Sequence, residues 1–398
     1  MRAHRPWAVT AVAALLAVGL SACGGNGAAG LTNAGPKSGD TSAVAATSQA
    51  QIVSSVPADA TGVQVNRSVR LDVTDGTLTT VGVTGPNGGQ LKGVLSTDKS
   101  SWQSVGRLRP GTTYQVHGVA VDAHGIQKVY NTTFRTQVLS KNRLTYPSFF
   151  PLPGSTVGIG MPVVIRFDVP VTDHASIQQH LQVTSVPAQA GAWHWISNTE
   201  VHWRPKNFWK PHTKVTVHAD IASIPAGDDV YGQVSRTNTF SIGRSMISKV
   251  DIRTDQMKVY RDGTLIKTIP ITTGRQPEFT TRSGIKVIVE KDRYQNMNSE
   301  TIGINPNGPG GYNLKDVEYA MRLTYSGEFI HAAPWSVGSQ GYANVSHGCT
   351  GMSTENAGWM FYNSIIGDVV EYTGSNRPMT LTNGLGDWNL SFAQYAQG

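Results

Sequence analysis

Near the end of the chain, His331 is followed after a fourteen-residue spacer by Ser346-His347-Gly348-Cys349. These are the residue types that acyl transfer through a thiol needs: a nucleophile, a base to take its proton, and backbone donors for the oxyanion formed at the attacked carbonyl. His331 closes the apolar run Phe329-Ile330 and is therefore expected at a strand end, a rigid platform for a base. Gly348 lets the backbone turn closely beside Cys349, so that amides around the turn can point at a developing negative oxygen. The rival use of these atoms is zinc binding by two histidines and a thiolate, but no clear fourth ligand or paired ligand spacing accompanies them.

The sequence holds two cysteines, and the other is Cys23. Arg2 and Arg5 precede an apolar run from Ala8 to Leu20 that ends in small residues, which reads as an export leader over residues 1–22. The run is shorter than the roughly 20 apolar residues a permanent span needs. Leu20-Ser21-Ala22-Cys23 resembles the lipobox of bacterial lipoproteins. That resemblance implies cleavage before Cys23, acylation of its sulfur and amine, and a protein held by lipid at the outer face of the cell membrane. Residues 23–51, rich in Gly, Ala, Ser and Thr, read as a flexible tether. With Cys23 lipidated, Cys349 is the one remaining thiol. A lone thiol in an oxidising compartment is a liability unless it has chemistry to do. The net charge of +7 loses two units with Arg2 and Arg5 and is scattered along the chain. No basic stripe with interleaved aromatics points to nucleic acid.

The positioning elements follow from an internal repeat. Val69-Arg70-Leu71-Asp72-Val73 is echoed by Val163-Val164-Ile165-Arg166-Phe167-Asp168, Leu108 to Tyr114 by Trp209 to Val215, and Asn131-Thr132-Thr133-Phe134 by Thr237-Asn238-Thr239-Phe240. Three landmarks recurring in order argue for a duplicated module, with copies over residues 52–138 and 139–243. Alternating runs such as Tyr114 to Ala120, separated by turn residues, make each copy a β-sandwich. Trp193, Trp195 and Trp203 suit a carbohydrate platform or a sandwich core, and alternation favours the core. The third segment, residues 244–373, is expected to be mostly β. Arg261-Asp262-Gly263 marks a hairpin turn, and one helix begins at a Ser353 cap with Ala357, Met360, Phe361 and Ile365 on one face. The stretch from Asp292 to Tyr312, rich in Asn, Gly and Pro, reads as a long loop of the kind that covers a site. Trp388, in the tail over residues 374–398, suggests docking onto a neighbour.

The histidine, its spacer and Ser-His-Gly-Cys resemble the signature of the L,D-transpeptidase catalytic (YkuD) domain. Flanking His331-Ala332-Ala333-Pro334-Trp335-Ser336-Val337-Gly338 and Gly384-Leu385-Gly386-Asp387-Trp388 are similar to the actinobacterial branch, whose immunoglobulin-like domains the two sandwiches resemble. NlpC/P60 peptidases place cysteine ahead of histidine, the reverse of the order here. The resemblance implies a mainly β protein: two tandem immunoglobulin-like sandwiches, a β-rich catalytic domain with one short helix, and a tail packed on that domain. It implies Cys349 as nucleophile and His331 as base, with the carbonyl of Ala332 orienting the imidazole. Ser346, His347 and Gly348 belong to the motif; Tyr312 would close the donor site and help stabilise the oxyanion, and Met297 matches a lid residue. Tyr325, Trp335 and Gly351 are expected around the substrate. The chain departs from the family at Thr350-Gly351, where a hydrophobic residue and then Asn or Arg are usual. The implied partners are tetrapeptide stems of peptidoglycan, as donor and acceptor, and carbapenem inhibitors, with no cofactor and no metal. The implied reaction is a 3→3 cross-link made through a thioester; the alternatives are an L,D-carboxypeptidase or a non-catalytic wall-binding lipoprotein.

Overall fold

The computed structural model describes residues 47–398. The expected leader, Cys23 and most of the tether lie outside the described residues. Packing begins before the expected tether edge at residue 51: Ala50 is fully buried, and Ser48 donates to the carbonyl of Ile126.

Two sandwiches come first, and their sheets match strand for strand. The first has one sheet ordered Gln51–Ser54, Arg70–Thr74, Ser101–Ser104, Gly93–Leu95, and another ordered Ala60–Val63, Gln127–Thr136, Thr113–Val121, Thr77–Thr84. In the second the corresponding orders are Pro147–Phe150, Val163–Phe167, Glu200–Pro205, Gly191–Ser197, and Thr156–Val157, Arg236–Ile242, Lys214–Ala219, Leu181–Val186. The repeated sequence landmarks fall on equivalent strands, and each copy pairs its short strand in parallel with the long one beside it. Alternation does the sorting: in Thr113–Val121, Tyr114, Val116 and Ala120 face the core. Trp203 is buried in the second core, with Trp193 and Trp195 packed against it.

The remaining segment builds a five-stranded sheet, Thr264–Pro270, Gln256–Arg261, Met246–Asp251, Val369–Thr373, Gly284–Val287, and a four-stranded sheet, Glu290–Asn298, Asn313–Arg322, Phe329–Ala332, Thr350–Met352. Asp262 and Gly263, both at positive φ, make the expected hairpin turn. Ser353 caps the helix Thr354–Asn363 by accepting from the Asn356 amide. Ile365, expected on its inner face, lies beyond its end, whereas Ala357 and Met360 join Met246, Val259, Ile330 and Met352 in one core. The long loop is shorter than expected because pairing with Asn313–Arg322 extends the preceding strand to Asn298.

The second sandwich and the five-stranded sheet share a core. Val157, Ile159, Val163 and Trp203 form one cluster with Val287, Val369 and Leu385. Gly158 approaches so closely that a Cβ there would lie 2.2 Å from the Asp368 amide nitrogen. The tail wedges into this junction rather than resting on the catalytic segment alone. Trp388 donates to the Gly160 carbonyl at 2.7 Å, Arg204 covers the rings of Trp388 and Tyr395, and Asn389 exchanges hydrogen bonds with the Ile285 backbone. The contact between the sandwiches joins a small apolar cluster of Val65, Leu139 and Tyr231 to polar contacts in which Arg107 binds Asp220 and the Ala222 carbonyl and Ser223 donates to the Leu108 carbonyl.

Candidate active site

Parallel pairing of Phe329–Ala332 with Thr350–Met352 sets His331 opposite Gly351. Cys349 stands two residues before Gly351, on the same face by strand alternation, so register brings the imidazole and the thiol to one wall. Both line a cavity of about 280 Å³ with Met297, Tyr312, Trp335 and Ser346.

His331 is buried, and its Nδ1 lies 2.8 Å from the Ala332 carbonyl oxygen. A carbonyl only accepts, so Nδ1 carries the proton and the lone pair of the neutral ring sits on Nε2. Burial lowers the imidazole's pKa and favours the neutral form, while the hydrogen bond to Ala332 acts in the opposite direction. Trp335, largely exposed, stacks 5.9 Å from the ring.

The thiol of Cys349 donates to the Gly327 carbonyl at 3.4 Å. Burial pushes its pKa up to about 11, with a hydrogen bond from the Phe329 backbone acting in the opposite direction. The resting pair is therefore thiol and neutral imidazole rather than thiolate and imidazolium.

Ser346 closes the turn. Its hydroxyl accepts from the Gly348 amide at 3.1 Å and donates to the Cys349 carbonyl at 2.6 Å, while Gly348 sits at φ +125°. The Gly348 amide, one of those expected for an oxyanion, is thus engaged within the turn. His347 packs between Phe279, at 4.4 Å, and Tyr312, at 4.9 Å, and holds the end of the loop over the site. Burial, reinforced by Cys349, raises the Tyr312 phenol to about 12, which keeps it a donor. Ser299 staples the base of that loop by donating to Ile304 and accepting from the Tyr312 amide.

Met297 sits on the strand Glu290–Asn298, packed with Tyr312, Leu314 and Phe329 against Cys349. It is a wall of the cavity in this structure. Tyr325 is outside the main cavity and lines a smaller one, about 90 Å³, that also reaches Cys349. A third, about 340 Å³, meets the others at Tyr312 and extends along Phe279, His347 and Gly348. At the departure from the family pattern, Thr350 is buried with its hydroxyl 2.7 Å from that of Tyr372, and Gly351 packs so closely that an added Cβ would lie 2.9 Å from that of Ala333. Sequence reasoning missed Gly327, Ser336 and the buried Lys286 and Glu328. Of the last two, Lys286 had a signal, since it is a lone charge in the apolar run Ile285 to Val289, and Glu328 had none. Among the described residues no group of three or more His, Cys, Asp or Glu side chains is placed to hold a metal ion, and no helix is long and apolar enough to cross a membrane.

This histidine strand, glycine turn and cysteine define a class that sequence comparison makes explicit. Residues 245–371 match the L,D-transpeptidase catalytic domain and residues 60–225 a bacterial Ig domain. The chain belongs to the L,D-transpeptidase family. It is 33% identical over 399 residues to L,D-transpeptidase 2 of Mycobacterium tuberculosis, covering 100% of this chain and 96% of that one. L,D-transpeptidase 1 of the same organism is 37% identical over 227 residues, 57% of this chain and 84% of the relative. A solved LD transpeptidase in complex with imipenem, LdtMt1, aligns at TM-score 0.50 and 36% identity, over 57% of this chain and 97% of that one.

Proposed function

We propose that this protein is a peptidoglycan L,D-transpeptidase that works outside the cytoplasmic membrane through a thioester on Cys349. The observation that carries the reading is the fixed Nδ1–H tautomer of His331, which leaves a basic Nε2 on the wall it shares with the thiol. Nε2 takes the proton as Sγ attacks the carbonyl between the third residue of a tetrapeptide stem, reacting at its L centre, and the terminal D-alanine. The C–N bond breaks, the proton passes to the amine of departing D-alanine, and the acyl group stays on sulfur. The side-chain amine of the third residue of a second stem then attacks the thioester and returns its surplus proton to sulfur through His331, closing a 3→3 cross-link. The Tyr312 phenol, held protonated, is a donor for the oxyanion of both steps. The meeting of three cavities at Tyr312, two of which reach Cys349, supports a two-substrate reaction.

Mass spectrometry of muropeptides after incubation with a disaccharide tetrapeptide tests this. Cross-linked dimers are expected; tripeptides alone would make the enzyme an L,D-carboxypeptidase, and unchanged substrate a wall-binding protein. The imipenem complex of the relative supports acylation of Cys349 by carbapenems as well. The Leu20-Ser21-Ala22-Cys23 sequence supports anchoring by lipid, so Cys23→Ser is expected to release the protein from the membrane fraction.

A further inference from the structure

Behind the catalytic turn lies a charged cluster that the reaction scheme above does not use. Lys286 is fully buried, its Nζ 2.6 Å from Oε2 of Glu328, a side chain only 6% exposed. The other carboxylate oxygen accepts from the Arg282 backbone amide at 3.0 Å and from its guanidinium at 3.1 Å. Removing such ions from water costs several kcal/mol each, and apolar residues of similar volume commonly serve stability as well or better. The cluster adjoins both the Cys349 turn and the strand that carries His331. Glu328 directly precedes the strand bearing His331, and its Cγ lies 3.8 Å from where a Cβ of Gly348 would be. The Lys286 ammonium sits 3.7 Å from the centre of the Tyr372 ring, whose hydroxyl meets Thr350, the neighbour of Cys349. Thr281, next to Arg282, donates to the Gly348 carbonyl at 2.8 Å.

We infer that Lys286 and Glu328 are positioning residues for acylation: they clamp the Cys349 turn against the His331 strand and set the charge behind the sulfur as it gains negative charge. The inference rests on Cys349 being the nucleophile. Two cations face one anion, leaving one positive charge in excess. The other groups around the thiol are the neutral His331, His347 of the turn, the phenols of Tyr312 and Tyr372, and Arg322, which is paired to Glu290 at 2.7 Å. Lys286 acts on Cys349 to favour the thiolate and Glu328 acts against it, while burial draws the lysine itself down to about 8.

The test is the rate of Cys349 alkylation by iodoacetamide at pH 7, where Lys286 carries its charge, read by intact mass on the folded protein, which requires no transpeptidation. Lys286→Met is expected to slow alkylation about tenfold, the equivalent of one unit of thiol pKa. Glu328→Gln is expected to speed it. Lys286→Met combined with Glu328→Leu removes one charge of each sign and should return the rate close to wild type. Changes of the two single variants in the same direction, or rates indistinguishable from wild type, would reduce the cluster to a structural one. Each single variant has its own required sign, so either one that folds decides the matter. Failure to cross-link stems with these rate changes intact would refute the proposed reaction and leave this inference standing.

Discussion

His202 and Asp387, 185 residues apart in the chain, meet as a buried pair with Nδ1 and Oδ1 2.8 Å apart, where the tail crosses the second sandwich. Glu200 binds Nε2 of the same ring at 2.8 Å, and the Tyr395 hydroxyl donates to Asp387. Burial alone would lower the imidazole's pKa, yet the carboxylates of Asp387 and Glu200 raise it to about 9. Burial opposes ionisation of Asp387 too, and His202 overrides it to hold the carboxyl below the usual range.

The junction is therefore expected to have a pH window. The stabilisation from His202 is fully present below its unfolded value near 6.5 and is lost as pH rises through about 9. That from Asp387 is present above the ordinary carboxylate range and is lost as pH falls through its lowered value. Melting temperature should peak between these limits and decline above pH 7. In Asp387→Asn, breaking the buried pair should cost about 3–5 kcal/mol and flatten the alkaline decline; an alkaline limb as steep as wild type would contradict this.

Mixing with a carbapenem is expected to yield a one-to-one adduct on a peptide containing Cys349 and none on Cys349→Ala. His331→Ala should slow acylation by about two or more orders of magnitude, the usual contribution of a positioned base. Because burial lowers the His331 pKa, the rate should hold down to a pH below 6.5 before protonation of Nε2 reduces it. Time-resolved intact-mass spectra across pH read all three.

Gly351→Asn restores a side chain of the usual family type at a place where the added Cβ would come 2.9 Å from that of Ala333. Overpacking of this kind costs about 1–3 kcal/mol. The variant is expected to melt lower and to acylate more slowly through displacement of the strand that carries His331. Thermal melts paired with adduct kinetics check it; an unchanged melt would mean that Ala333 moves aside freely.

Deleting residues 48–138 should leave a folded, acylating protein, because the first sandwich meets the second only through a small apolar cluster around Val65 and Tyr231 and polar contacts such as Arg107 with Asp220, and has its own core. Removal of residues 139–243 as well should expose Val287, Val369 and Leu385 and give an aggregating fragment. Trp388→Ala, which empties the same junction, is expected to cost about 3–5 kcal/mol. Size-exclusion profiles and denaturant melts of the three proteins separate these outcomes.

The meeting of His331 and Cys349 was legible because they lie in one strand and one short motif, and register then brings them to one wall. The sandwiches were legible because alternation such as that of Tyr114, Val116 and Ala120 is written locally, and twice. Pairings across the chain were not. Lys286 appears as an isolated charge in an apolar run and Glu328 as a charge after the turn residues Ser326-Gly327, and nothing local says that they face each other across 42 positions. Tyr325 shows the same limit: its place by a smaller cavity depends on the turn at Gly327, not on any pattern around it. The strand ending at Asn298 was hidden by polar residues whose pairing is decided by Asn313–Arg322.

A thiol with a pKa of about 11 is ionised in about one molecule in ten thousand at pH 7. Peroxides and small disulfides react with thiolates, so such a sulfur is slow to become sulfenic acid or a mixed disulfide. The burial that keeps Cys349 protonated is therefore expected to slow its oxidation as well, so that the same desolvation that restrains the sulfur also protects it.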